Sequence, residues 1–273
     1  MGIAAHNFHD SMKHLPRHGD QTTGLSSQAL LLPYMENQDV LNLVNPDIHW
    51  RAQTLETKRT PLPFLKCPSQ TPLEFTDVLA SATSPPWGED SPLRCHYAAI
   101  YGAKPGDCGR GGSIEGLEYP DNTYTIENCD MSPQSDGGMA TNGVLFYESD
   151  IAFKDITDGS SKTMLFGELS WDAGINMTWL AADDIGGAFV WVFNGKNIMN
   201  PINSAAFTPT WEEHDAGEGT VPFHDVSLGS KHPGGCHVLM TDGSANFLSE
   251  SVEMAVFKAM ASRRSDEVYQ SPF

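Results

Sequence analysis

Cationic side chains are scarce in this chain: 16 Lys and Arg stand against 35 Asp and Glu, a formal charge of −19 over 273 residues. A field of that sign repels nucleic acid and anionic membrane, which excludes both as partners, and it attracts cations. No apolar run approaches the roughly 20 residues that span a bilayer, and no signal peptide stands at the start. Five cysteines occur but no Cys-x-x-Cys pair, which excludes a zinc knuckle or thioredoxin-like motif. Gly-x-Ser-x-Gly, His-Glu-x-x-His, a Walker loop and a Rossmann fingerprint are also missing. What is there is a loop-rich globular composition, with 25 Gly, 18 Pro and 40% hydrophobic residues. A chain of this length can bury a sizeable core.

The apolar pattern sets a helix first. Ala4, Ala5, Phe8, Met12 and Leu15 fall near helical spacing over residues 3–15, and Pro16 stops the helix. A second helical region starts after Ser26 and Ser27, continues through Leu30-Leu31-Leu32 toward Val44, and is kinked by Pro33. Strands are expected at 94–101, 143–147, 151–153, 163–166, 188–193, 236–240 and 245–248, with Asn194-Gly195 as a hairpin signal. Residues 102–140 and 200–222 read as loop insertions. A final helix is expected over 251–262, capped by Ser249 or Ser251, with Met254, Phe257, Met260 and Ala261 as its apolar stripe. The sum is one α+β domain over 1–273, a helix on an antiparallel sheet.

The most specific pattern is His232, nine residues, then Asp242-Gly243. Pro233-Gly234-Gly235 is a loop, Cys236 to Met240 a strand, and Asp242-Gly243 a type I′ turn signal in which both residues take φ > 0. Along a strand the two ends of the motif lie roughly 15–20 Å apart, so one ion or one proton relay does not span them. The favoured roles are structural: Asp242 and Gly243 hold a hairpin, and His232 orders a loop. Among the cysteines, Cys108–Cys129 and Cys67–Cys95 are the expected bridges, with Cys236 left free; five buried reduced thiols is the alternative.

Several stretches together resemble one family. They are Ala5-His6-Asn7-Phe8-His9-Asp10, Leu31-Leu32-Pro33-Tyr34-Met35-Glu36, Phe64-Leu65-Lys66-Cys67-Pro68-Ser69, the run from Ile156 through Asp158-Gly159 to Gly167-Glu168, and the His232/Asp242/Gly243 motif. The resemblance is to prepilin-like proteins of unknown function, abundant in planctomycete bacteria and sometimes labelled solute-binding-like. It implies a type IV pilin-like fold, with residues 1–16 as the remnant of a long N-terminal helix whose apolar first half would anchor the native protein in a membrane. It also implies an exported protein at the cell surface, periplasmic or extracellular, that assembles with other pilin-like subunits or cell-envelope components. Asp158-Gly159 then fixes a second turn, and residues 229–262 form the closing hairpin plus final helix.

Candidate chemistry is sparse. His232, Asp242, Glu168 and Glu148 are the weak catalytic candidates; Glu148, Glu168 and Asp172 offer the paired carboxylates a glycosidase needs. Trp87, Trp171, Trp179 and Trp211 are candidate sugar-stacking surfaces. His6 and His9, one helical turn apart, can share an ion. Asp183, Asp184, Glu212, Glu213, His214 and Asp215 are the metal candidates; solvated acidic loops are the favoured reading, and structural calcium is the ion such carboxylate-rich loops would suit. The leading expectation is a non-enzymatic pilin-like or pseudopilin-like subunit acting by assembly or binding. A secreted hydrolase of polysaccharide or ester substrates, or a carbohydrate- or solute-binding module, is second.

Overall fold

A computed structural model describes residues 1–35, 43–70, 93–104, 126–127, 139–171, 177–186, 189–192, 194–206, 221, 223–265 and 269–273. The chain opens with helix α1 (Gly2–Met12), which ends on Lys13 in a left-handed cap (φ 67°) whose N–H bonds to His9 O at 2.7 Å, three residues before Pro16. Ala4, Ala5 and Phe8 are buried, but Met12, expected on the same apolar face, is 51% exposed. Helix α2 (Ser27–Leu31) is capped by Ser26, whose hydroxyl accepts from Ala29 N at 3.0 Å. Pro33 tightens its continuation into a 3-10 turn over Leu32–Tyr34. A short helix α3 (Leu55–Arg59), capped by Thr54, has no counterpart in the sequence reading.

The strands are β1 (Arg94–Cys95), β2 (Tyr97–Ala103), β3 (Ile126–Glu127), β4 (Met139–Ala140), β5 (Met164–Glu168), β6 (Met177–Thr178), β7 (Asp183–Gly186), β8 (Phe189–Val192), β9 (Gly195–Ile198), β10 (Gly235–Met240) and β11 (Ala245–Ser249). Five of them form the central sheet in the order β11-β10-β5-β2-β9. Its pairs are antiparallel except β2–β9, which run parallel. The sheet is therefore mixed at one edge. Asn194-Gly195 is not a hairpin: Asn194 does take φ 63°, but the chain passes from β8, paired with β7, into β9 beside β2.

Residues 143–147 and 151–153 also depart from expectation. They are turns and a 3-10 segment, although Val144 and Leu145 are buried. Their backbone groups find partners outside any ladder. Gly143 N bonds to Tyr101 O, Leu145 N to Ile100 O, and Arg263 Nη1 caps the carbonyls of Thr141 and Gly143 at 2.6 Å each. The segment behaves as apolar filler under α1.

Both sheet faces are covered, as the alternation of β10 shows. Cys236, Val238 and Met240 enter one core with Ala98, Ile100, Phe257 and Met260, while Leu239 packs into the other with Ala4, Ala5, Phe8, Leu165 and Phe166. Helix α1 covers the second face, and helix α4 (Met254–Ala259) lies against the first. The residue preceding α4 is Glu253, which makes no side-chain cap; Ser249 and Ser251 instead bond to each other.

The β10–β11 hairpin closes as expected but with a different turn. Only Gly243 has positive φ (90°), Gly243 N bonds to Met240 O at 3.0 Å, and Met240 N bonds to Ser244 O at 2.9 Å. That is a three-residue loop with glycine at the left-handed position, not type I′. Asp242 Oδ1 accepts from Ser244 N and Ser244 Oγ at 2.9 and 2.7 Å. The second expected turn is tied to it: Asp242 N donates to Ser160 O at 3.0 Å, one residue beyond Gly159 (φ 103°). Asp158 Oδ2 in turn accepts from Ser265 N and Ser262 Oγ, so this turn also holds the chain beyond α4. Among the described residues no helix is long and apolar enough to cross a membrane.

Candidate functional site

Strand register builds the site. Tyr97 lies opposite Glu168 on β2–β5, and His237 lies opposite Phe247 on β10–β11. Because Val238 lies opposite Gly167, His237 falls beside Glu168, and the four residues form one row across β2, β5, β10 and β11. The row is on the α1 face, but at the strand ends away from the β10–β11 turn. Two loops close over it. Gly229 N bonds to Glu168 O and Ser170 N to Gly229 O, both at 2.9 Å, which lays residues 229–234 beside the end of β5. His96 N bonds to Leu65 O and Leu169 N to His96 O, again at 2.9 Å, which brings the 65–69 segment to the same place.

The outcome is a convergence of three side chains from distant parts of the sequence. Cys67 Sγ lies 3.4 Å from His232 Nε2, and His232 Nε2 lies 3.6 Å from Glu168 Oε1. Ligand atoms of Cys67, Glu168 and His232 all fall within 4.8 Å of one another. Glu168 is 1% exposed, His232 24% and His237 48%, so the group has a buried floor and a solvent-facing rim.

Each member is held by further contacts. His232 Nδ1 meets Ser69 Oγ at 3.1 Å. Glu168 Oε2 accepts from His237 N at 2.9 Å and meets His237 Nδ1 at 3.3 Å, while Oε1 accepts from Ser170 Oγ at 3.0 Å. Cys67 N donates to His96 Nδ1 at 2.9 Å. Burial pulls the His96 imidazole down to about 4, against the opposing charge of Glu168, so the ring is neutral and free to accept that bond. Burial and hydrogen bonding to Glu168 push the Cys67 thiol up. A nucleophilic cysteine needs the opposite shift, which argues against thiol catalysis here. Tyr97 is also pushed up, to about 12, by burial.

Several candidates lie elsewhere. Asp242 is exposed in its turn, and its carboxylate serves Ser244. Glu148 is exposed in a left-handed turn (φ 55°) with its N–H on Gly19 O, and no hydrogen bond or ion pair links it to Glu168. His6 and His9 both pack on Phe153 in tilted contacts, at 4.6 and 4.4 Å, and His6 Nε2 bonds to Thr241 O; they are packing residues. Trp179 is core, and Trp171 donates to Ser227 O. Asp183 and Asp184 lie on β7, paired with β8. Glu212, Glu213, His214, Asp215, Asp172, Trp87, Trp211 and the Cys108–Cys129 pair lie outside the described residues.

Cys67 and Cys95 are not bridged. Both are buried free thiols, as is Cys236: Cys67 faces His232, and Cys95 faces Tyr97 O and Asn194 Oδ1. In sequence Cys67 reads as a disulfide partner, and neither His96 nor Ser69 stands out. One signal was available, since three of the family-resembling stretches each contribute one member: Cys67, Glu168 and His232.

A family model described as a protein of unknown function (DUF1559) matches residues 1–255. No curated protein and no solved structure matches the chain. With nearly its whole length matched, this chain belongs to the DUF1559 family, whose function is unknown.

Proposed function

We propose that the chain is the globular part of an exported, pilin-like subunit that works at the cell envelope by assembly or binding. The observation that carries this reading is the seating of α1. Ala4, Ala5 and Phe8 bury one face of the helix on Ala99, Leu165 and Phe166 of a largely antiparallel sheet. Burying a Phe side chain alone contributes about 1.5–3 kcal/mol, so the helix is a fixed part of the domain. Its opposite face carries Ile3, 78% exposed, among Asn7, Asp10 and Ser11, so contact between copies would use a mixed polar surface. The net charge of −19 suits an exported protein and partners that bring cations or uncharged polymers. A hydrolase reading ranks lower, because the Cys67 thiol is not activated and Glu148 and Asp242 stand apart from Glu168.

The test is photo-crosslinking in cells that express the protein from its natural gene, with a benzophenone amino acid at Ile3. Envelope or extracellular fractionation together with crosslinked species containing two or more copies is the expected result. A monomer confined to the cytoplasm would overturn the reading.

A further inference from the structure

We propose that Cys67, Glu168 and His232 form a binding site for one divalent transition-metal ion of the zinc class. The inference is independent of whether the chain assembles.

Spacing is the first argument. Zinc holds thiolate sulfur at about 2.3 Å and imidazole nitrogen or carboxylate oxygen at about 2.0–2.2 Å, so tetrahedral ligands stand roughly 3.3–3.6 Å from one another. The two closest approaches here are 3.4 Å, between Cys67 Sγ and His232 Nε2, and 3.6 Å, between His232 Nε2 and Glu168 Oε1. The third pair, Cys67 Sγ and a Glu168 carboxylate oxygen, lies within 4.8 Å, so three atoms of different chemistry surround one point that an ion could occupy.

Outer contacts are the second. A metal-bound imidazole normally donates its other N–H to a fixed acceptor, which sets ring orientation and tautomer. With Nε2 directed at the ion, Nδ1–H of His232 has Ser69 Oγ as that acceptor at 3.1 Å. Glu168 keeps Oε1 toward the ion while Oε2 is held by His237 N. The loop carrying Cys67 is pinned by the bond from Cys67 N to His96 Nδ1 at 2.9 Å. Each ligand thus has a support besides the ion, and Glu168 Oε1 also accepts from Ser170 Oγ at 3.0 Å, which leaves one lone pair for the ion.

Charge is the third. A carboxylate as buried as Glu168 is costly without a compensating cation. Its ion-pair partners among the described residues are two histidines, and neither Lys nor Arg reaches it. A divalent ion would balance Glu168 and take Cys67 as thiolate. Sulfur and imidazole select zinc-like ions over calcium and magnesium, which require oxygen sets. Three protein ligands leave one position for water or a donor from another molecule, and the exposed edge of His237 gives an entry path.

The experiment uses the purified chain, stripped with chelator and titrated with Co2+, then Zn2+. One equivalent of Co2+ should bind with a thiolate-to-cobalt charge-transfer band and tetrahedral visible absorption, and Zn2+ should displace it. Cys67→Ser should remove the charge-transfer band, whereas Cys95→Ala and Cys236→Ala should retain it. His232→Gln, at a position 24% exposed, should weaken Zn2+ at least tenfold while circular dichroism stays unchanged, which keeps the test valid if Cys67→Ser does not fold. Ser69→Ala should weaken Zn2+ roughly 10–100-fold, as expected for an outer support. A folded wild-type chain that binds no Co2+ or Zn2+ overturns the site. So does a charge-transfer band that survives Cys67→Ser, or binding unmoved by His232→Gln, either of which places the ion elsewhere.

Discussion

Gly2, in the first turn of α1, lies directly on Gly243 in the turn of the β10–β11 hairpin. A Cβ at Gly2 would stand 2.8 Å from Gly243 Cα and 2.9 Å from Gly243 O, closer than backbone atoms tolerate. Viewed from Gly243 the constraint differs: a Cβ there would meet nothing nearer than 3.8 Å, but φ is +90°. One glycine is required by contact and the other by conformation.

The two positions should therefore respond differently. Gly243→Ala should destabilise the fold by about 1 kcal/mol through backbone strain, and Gly243→Asn by less, because Asn tolerates left-handed φ. At Gly2 side-chain chemistry should matter little: Ala and Asn should cost similar amounts, since both bring the same Cβ. Urea unfolding of the four variants checks the contrast.

How the sequence reading fared follows from the same distinction between local and distant causes. Strands β5, β10 and β11 and helix α4 are legible because short apolar runs bounded by Gly, Asp or Ser fix the period; the ends are less legible, and the helix runs 254–259 where 251–262 is expected. Residues 143–147 look like a strand from composition alone, but Arg263, over a hundred residues away, caps the carbonyls of Thr141 and Gly143 and makes an irregular path tenable. In sequence Cys67 reads as half of a disulfide because spacing cannot show which loop crosses a strand end. The bonds from His96 N to Leu65 O and from Leu169 N to His96 O make that crossing, and neither leaves a periodic trace.

A second prediction concerns the strand that carries Glu168. A Cβ on Gly167 would lie 2.2 Å from Leu228 Cδ1, and Leu228 is buried on all sides. Gly167→Ala should cost about 1–3 kcal/mol by overpacking, and Leu228→Ala about 2–5 kcal/mol by cavity formation. The double variant should cost clearly less than the two together, because each change relieves the other. Additive effects in denaturant unfolding would mean that the two residues do not share this space.

Lys258 supplies a pH test away from the site. Its side chain is fully buried, and Nζ donates to Lys104 O at 2.6 Å, beside the buried Lys104–Asp225 pair. Burial lowers the amine to about 8 from 10.5, with Asp225 opposing and Lys104 reinforcing the shift. Between about pH 8 and pH 10.5 the unfolded chain binds more protons at this residue than the folded one, so its contribution to stability rises with pH over that window. Below pH 8 it is constant. The raised thiols of Cys95 and Cys236 and the raised Tyr97 act in the other direction at high pH. The difference between wild type and Lys258→Met therefore isolates the term. Wild type should gain on the variant from pH 8 to 10, and parallel stability curves would show that Lys258 titrates normally.

The two ends of the His-x9-Asp-Gly motif should separate by experiment. Asp242 organises the hairpin turn through Ser244 and, by its own N–H, ties that turn to Ser160. Asp242→Ala should cost about 1 kcal/mol of stability, the value of a lost turn hydrogen bond, and should leave metal affinity alone. His232 is half-buried on a loop at the other end of β10, so His232→Ala should cost about 1 kcal/mol or less. Saturating Zn2+ then discriminates between them, because an ion that binds only the folded state at a hundred times its dissociation constant adds about 2.7 kcal/mol. That increment should appear in wild type and in Asp242→Ala and vanish in His232→Ala. Loss of the increment in both variants would mean that the hairpin turn and the strand-end cluster act as one unit, contrary to the separation their positions imply.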